Sequence, residues 1–98
     1  MPRRILDRIR EAIRNAAYDM TIHAVEEMAE DKLDLIDVET AILNGRLIKT
    51  EKDDPQGTRY TVQGIGADGA TPVGTTGRFK ETGRYLIITV YAVTEPEI

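Results

Sequence analysis

Apolar side chains recur three and four positions apart through the first 45 residues, which is the spacing of amphipathic α-helices. This pattern predicts helices over residues 3–17, 22–31 and 35–43, with a break at Tyr18-Asp19-Met20. The apolar stripe of the first helix should pack on the domain or on a second copy of the chain. Its arginines should stay mostly exposed, and they are Arg3, Arg4, Arg8, Arg10 and Arg14.

Short polar residues mark the predicted helix ends. Thr21 and Asp34 precede the second and third helices, and their side-chain oxygens can accept a backbone N–H of the first turn. Asp37 stands three residues after Asp34, as a weak stand-in for the glutamate of a capping box. Gly45 follows the third helix, and we predict that it adopts the left-handed conformation that often ends a helix.

Beyond residue 45 apolar and polar residues alternate, as is typical of β-strands. Segments rich in glycine, proline and aspartate separate the alternating stretches and predict tight turns. Short turns join antiparallel strands, so the chain predicts an α+β fold with N-terminal helices packed on a four-stranded antiparallel sheet. The predicted strands cover residues 46–52, 58–65, 71–76 and 85–93, and the tail over 94–98 is expected to fray.

The segment Gly64-Ile65-Gly66-Ala67-Asp68-Gly69 matches the G-x-G-x-x-G motif of dinucleotide-binding proteins in its letters. That motif binds a pyrophosphate only where it opens a helix. Here the strand-like Ala70-Thr71-Pro72-Val73 follows, so we interpret the segment as the turn of a β-hairpin.

Composition and charge narrow the class of protein. The 98 residues suit one domain, and one histidine without any cysteine argues against disulfides and structural zinc, so we expect no metal and no cofactor. No apolar run approaches membrane-spanning length and no signal peptide is recognisable, so the cytoplasm is the expected location. The net charge is −4, with seven acidic residues and one lysine in residues 26–39. Any contact with nucleic acid should therefore be local.

The candidate chemistry rests on one histidine and a few basic strand residues. His23 falls in the first turn of the second helix, where it can transfer a proton or hold a structural hydrogen bond. Arg59, Arg78 and Arg84 fall on or beside predicted strands. Tyr60, Tyr85 and Tyr91 are interleaved with these cations, and such a pattern suits single-stranded RNA because cations pair with phosphates while rings stack on bases. The alternative is a solvated strand face above core tyrosines.

Short motifs spread over residues 18–93 also carry a family resemblance. They are Met20-Thr21-Ile22-His23-Ala24, Met28, Leu33-Asp34, Asn44-Gly45, Arg59-Tyr60, Gly64 and Ile87-Ile88-Thr89-Val90-Tyr91. Together they resemble a small bacterial domain-of-unknown-function family that is similar to BrnT toxins and belongs with the RelE/ParE-like toxins. Family members often read His-Ala-x-x-Arg-Met and then a further arginine. Here Glu27 precedes Met28, and Asp31-Lys32 stands at the second basic position.

The resemblance implies a RelE/ParE-like domain over residues 1–98 and a toxin–antitoxin setting. We therefore predict a toxin that cleaves mRNA, free or on the ribosome, and that an antitoxin protein neutralises. In that prediction His23 transfers protons, Tyr91 assists, and three arginines bind phosphate: Arg59, Arg78 and Arg84. The alternative is a non-catalytic interaction module whose acidic helices bind a basic partner. A homodimer through the N-terminal helix is a further expected contact.

The position of His23 distinguishes the two interpretations. Proton transfer requires hydrogen-bond distance, directly or through one water, from the group that reacts. A nuclease should therefore bring His23 to the face of the sheet that carries Arg59 and Arg78. A His23 located away from that face favours the interaction module.

Overall fold

A computed structural model of the protein describes residues 4–93, which form three α-helices and five β-strands. The mixed α+β class predicted from the sequence is confirmed. Predictions for Arg3 and for the 94–98 tail lie outside the described residues. In chain order the elements are α1 (Ile5–Arg14), β1 (Tyr18–Met20), α2 (Ile22–Glu30), α3 (Leu35–Asn44), β2 (Arg46–Glu51), β3 (Arg59–Ile65), β4 (Pro72–Phe79) and β5 (Tyr85–Ala92).

The five strands form one sheet in the order β1-β5-β4-β3-β2. Strands β2 to β5 pair antiparallel through short connections, as predicted. The prediction of four antiparallel strands is nevertheless wrong, because β1 is a fifth strand that runs parallel to β5. Its three residues are too few to show alternation, and the partner strand lies more than 60 residues later in the chain. Tyr18 pairs with Tyr85, and Met20 pairs with Ile87.

Helix α1 uses its apolar stripe inside its own domain. Ile9 and Ile13 are buried in the core, so a dimer through this stripe would require α1 to leave the domain. The helix ends earlier than predicted, and Ala16 has a φ of 54° that is incompatible with its continuation. Arg10 departs from the predicted exposure, because it is half-buried and its Nη2 donates to the Gly45 carbonyl at 2.7 Å. The exposed arginines of this segment are Arg4, Arg8 and Arg14.

The predicted N-cap at Thr21 and the predicted contact of Asp37 with Asp34 are confirmed, but the prediction for Gly45 is wrong. Thr21 Oγ1 accepts the Ala24 N–H at 3.0 Å, and the Asp37 carboxylate accepts the Asp34 N–H at 2.9 Å. Gly45 has a φ of −85° and extended backbone, so it is not in the left-handed region. A Cβ at Gly45 would lie 2.5 Å from the Ala41 carbonyl oxygen. The Gln63 carbonyl oxygen of β3 would also lie 2.7 Å from that Cβ, so close packing, and not a positive φ, requires glycine there.

All three helices cover one face of the sheet. Val62 on β3 is buried beneath α3, and a Cβ added at Gly64 would collide with the Ala41 carbonyl of that helix. Residues alternate between faces along a strand, so the odd-numbered residues of β3 point away from the helices. We call this second face, which no described helix covers, the open face.

The glycine-rich segment forms the β3–β4 hairpin turn, as the sequence predicted. The Asp68 carboxylate accepts the N–H groups of Ala70 and Thr71, each at 2.8 Å. A further hydrogen bond from the Thr71 hydroxyl is the largest of the interactions that lower the pKa of Asp68 to about 2. The Asp37 carboxylate also accepts the Ala67 N–H at 2.9 Å, which ties the turn to α3.

Candidate functional site

The open face brings two of the predicted phosphate-binding arginines together. Thr61 on β3 pairs with Thr76 on β4, and their hydroxyl oxygens lie 3.0 Å apart on this face. Arg59 lies two residues before Thr61, and Arg78 lies two residues after Thr76. Both arginines therefore emerge on the open face as cross-strand neighbours.

The two neighbouring arginines are only partly compensated by acidic groups. Arg59 Nη1 lies 3.4 Å from Asp54 Oδ2 in the β2–β3 loop, whereas Arg78 has no ion pair among residues 4–93. The Nε atoms of both guanidinium groups are buried and lack a hydrogen-bond partner within that part of the chain. Like charges on facing strand positions destabilise a sheet. An anion that meets the terminal N–H groups of the two guanidinium groups would relieve that repulsion.

Arg84 has a different environment from the other two arginines. Its guanidinium holds both oxygens of the Asp19 carboxylate, with Nε to Oδ2 at 2.9 Å and Nη2 to Oδ1 at 3.1 Å. Lys80 Nζ also lies 2.6 Å from Asp19 Oδ2. Hydrogen bonds from Arg84 and then from Lys80 hold the pKa of Asp19 well below its usual range. Arg84 additionally donates to the Tyr18 carbonyl, so its N–H groups hold β1 in place.

Tyr91 reaches the open face at the other end of β4. It pairs with Gly74, and a Cβ at Gly74 would collide with the Tyr91 ring, so the glycine makes room for the ring to lie across β4. Four residues separate Gly74 from Arg78 along the strand, which is about 13 Å. The Tyr91 ring and the arginine pair therefore lie at opposite ends of the open face and are too far apart to contact the same reacting atom.

His23 lies outside the β5 edge of the sheet and not on the open face. Its side chain is 66% exposed, and its Nε2 lies 3.3 Å from Glu27 Oε2. The other oxygen of Glu27 accepts the Val90 N–H of β5 at 3.1 Å. Arg59 is on β3, two strand spacings of about 4.8 Å each away from β5. The structure therefore does not bring His23 together with this arginine.

Two carboxylates that the sequence placed on exposed helix faces have a defined task. Glu27 accepts the Val90 N–H, and Asp31 accepts the Ala92 N–H at 2.8 Å. β1 ends opposite Ile87, so the rest of the β5 edge lacks a strand partner on this side. Two carboxylates four residues apart, one on α2 and one at its C-cap, thus match N–H groups two residues apart on β5. The family resemblance leads one to expect arginine at these two positions. The four-residue spacing of Glu27 and Asp31 was the only sequence feature that could have indicated their contact with β5.

Residues 4–93 contain no feature typical of a metal site or of a membrane-spanning helix. No group of three or more histidine, cysteine, aspartate or glutamate side chains converges there as metal ligands. No helix in this range is long and apolar enough to cross a membrane. A surface cavity of about 410 Å³ adjoins Arg59, but its lining includes three acids, which does not suit an anionic cofactor. Its lining residues are Thr50, Glu51, Lys52, Asp53, Asp54 and Arg59.

The family comparison covers most of the elements just described. Residues 20–92 match the family described as a domain of unknown function (DUF4258). The chain belongs to this family. The DUF4258 match starts at the end of β1 and runs through β5, so it includes α2 and the whole open face and leaves out α1. No curated protein and no solved structure matches the chain.

Proposed function

We propose that this protein is a toxin-like binding protein that holds the backbone of single-stranded RNA on its open face. The observation that carries the proposal is that Arg59 and Arg78 are neighbours on this face and that only Arg59 has an ion pair among residues 4–93. The resemblance to BrnT-type and RelE/ParE-like toxins supports RNA as the anion, and it supports an antitoxin as the neutralising partner. RNA binding and neutralisation by an antitoxin are both proposed on this basis.

Guanidinium groups suit phosphate for a geometric reason. Each presents a planar fork of N–H donors that can bind two oxygens of one phosphate, and the group remains charged at every physiological pH. Arg78 is available for such a contact directly, whereas Arg59 must exchange the Asp54 carboxylate for phosphate. Tyr91, about 13 Å further along the face, offers its ring to a base of the same strand.

The proposal does not include proton transfer by His23. The histidine lies at the β5 edge with Glu27, so it cannot act within hydrogen-bond distance of a phosphate that Arg59 holds. The geometry therefore favours the non-catalytic interpretation of the scaffold. Binding of single-stranded RNA, without cleavage by His23, is the expected activity.

The test compares the salt dependence of RNA binding between variants. We expect wild-type protein to bind a single-stranded RNA and to leave it intact. Arg78→Ala should weaken binding and reduce the slope of log affinity against log salt by about 0.7, because it removes one phosphate contact. Arg4→Ala is the matched control, since it removes an exposed arginine next to α1, away from the open face.

Three results would contradict the proposal. Absence of RNA binding, or equal losses of RNA affinity for Arg78→Ala and Arg4→Ala, would leave a protein-interaction module. RNA cleavage that His23→Ala abolishes, while the fold measured by circular dichroism is unchanged, would restore the nuclease interpretation.

A further inference from the structure

Helix α2 exposes a second apolar stripe on the side that faces solvent. Ile22 is 79% exposed and Val25 is 46% exposed, and Ala29 is also exposed. These residues stand at positions i, i+3 and i+7, so they follow one side of the helix for two turns. The inner side of α2 is occupied separately, with Ala24 buried and Met28 half-buried. The outer stripe is therefore not needed for packing α2 on the sheet.

Acidic side chains flank the stripe and further apolar residues follow it. Glu26 and Glu30 are exposed on α2, and Asp34 is exposed in the turn before α3. At the start of α3, Leu35 and Ile36 are 43% and 56% exposed. Four of the six large apolar side chains that are exposed among the described residues thus fall within 15 positions of the chain. Such concentrations with a polar rim are typical of protein-binding surfaces.

We propose that this stripe, defined as Ile22, Val25 and Ala29 with the flanking acids Glu26 and Glu30, docks a basic amphipathic helix of another protein. Apolar side chains of the partner would cover the stripe, as in a helix-in-groove contact. Lysine or arginine side chains beside them would pair with the acids at the rim, which favours encounter and orientation. The inference rests on α2 and the start of α3, and it is independent of RNA binding on the open face.

The charges of α2 select this occupant over the others. Two copies of the stripe facing each other would oppose glutamates with glutamates, which disfavours a dimer through this side. RNA and anionic membrane surfaces are repelled by the same acids. A basic amphipathic protein segment can contact the apolar stripe and also pair its charges with the acids beside it.

The experiment uses a named probe, a 14-residue helical peptide made of leucine and lysine with an apolar and a basic side. A peptide of the same pattern with glutamate in place of lysine is the peptide control. Binding to the whole ¹⁵N-labelled protein is followed by amide chemical shifts. We expect the basic peptide to shift amides of α2 and the start of α3, and the acidic peptide to shift none of them.

Paired variants identify the surface that binds. Val25→Ser should lower the affinity for the basic peptide about tenfold, since it removes an apolar contact from the centre of the stripe. Ile48→Ser is its control, because Ile48 is similarly exposed, at 52%, but lies on β2. Glu26→Lys should also weaken binding, and Glu81→Lys in the β4–β5 turn should not.

Three outcomes overturn the proposal. Equal losses for the stripe variants and their controls would show a non-specific attraction between charges. Peptide-induced shifts centred on α1 or on the open face would place the site elsewhere. A dimer that Val25→Ser dissociates would assign the stripe to a second copy of this chain.

Discussion

The contact between α2 and the unpaired edge of β5 yields a quantitative prediction for Glu27→Ala. The substitution removes the charged acceptor of the Val90 N–H, which is partly buried. A hydrogen bond to a charged group contributes about 1.5 to 3 kcal/mol to stability. The exposed His23–Glu27 pair adds only about 0.3 kcal/mol. We therefore expect a loss of about 2 kcal/mol, which lowers the Tm of a domain of this size by roughly 8 to 16 °C.

Matched variants make this prediction specific. Glu26→Ala removes a neighbouring exposed glutamate and should change the free energy of unfolding by less than about 0.5 kcal/mol. Asp31→Ala should lie between the two, because the Ala92 N–H that it leaves is exposed to water. His23→Ala should resemble Glu26→Ala, since the histidine contacts the edge only through Glu27. Urea titrations monitored by circular dichroism give these values.

Hydrogen exchange checks the same contact at one amide. The Val90 N–H should lose protection in Glu27→Ala while amides of β3 keep theirs relative to global stability. The double variant lacking both carboxylates should also associate in a concentration-dependent way, because an uncovered strand edge pairs with other edges. Equal Tm values for Glu27→Ala and Glu26→Ala, with Val90 protection unchanged, would refute the reasoning.

Three further substitutions have defined expectations. Asp19→Asn should reduce the loss of stability on acidification. Because Arg84 lowers the pKa of Asp19 in the folded state, this carboxylate stabilises the fold fully above its ordinary pKa of 3.8. That stabilisation is lost as the pH falls toward the folded pKa. Thermal unfolding between pH 7 and pH 2 measures it. Gly64→Ala should destabilise by about 1 to 3 kcal/mol by colliding with the Ala41 carbonyl, measured in urea. Tyr85→Phe should raise Tm, because the buried Tyr85 hydroxyl has no partner among residues 4–93.

Local patterns predicted most of the fold. Helical spacing located α2 and α3 closely, and the caps at Thr21 and Asp34 lie where their chemistry suggested. Alternation and turn residues likewise located β2, β3 and β5, whereas β4 continues to Phe79, three residues beyond its predicted end at residue 76. These features depend on neighbours in sequence, so one chain contains enough information to find them.

Features that depend on distant residues were missed. β1 is stabilised by pairing with β5 and by the contact of Arg84 with Asp19, across 65 positions of sequence. Gly45 appeared suited to a helix end, but a Cβ there would also lie 2.7 Å from the carbonyl oxygen of Gln63 on β3. A short strand and a close approach have no local signature, because tertiary contacts determine both.

The candidate site was also predicted in part. Arg59 and Arg78 were predicted to lie on or beside strands of one sheet face, and the observed extension of β4 to Phe79 makes them cross-strand neighbours. Nothing in the sequence indicated that Asp19 engages Arg84, or that His23 lies beyond the sheet edge. Side chains from different elements come together only through the fold. Residue types alone could therefore not show which of the five predicted site residues share one site.

The most direct measurement of the central claim is an amide-shift titration of ¹⁵N-labelled protein with a short single-stranded RNA. We predict shifts at Arg59, Thr61, Thr76 and Arg78 on the open face, with α2 unchanged and the RNA intact afterwards. The same titration of an Arg59→Ala, Arg78→Ala double variant should show no shifts on this face. Shifts centred on α2 and His23, or none in the wild-type protein, would contradict the account.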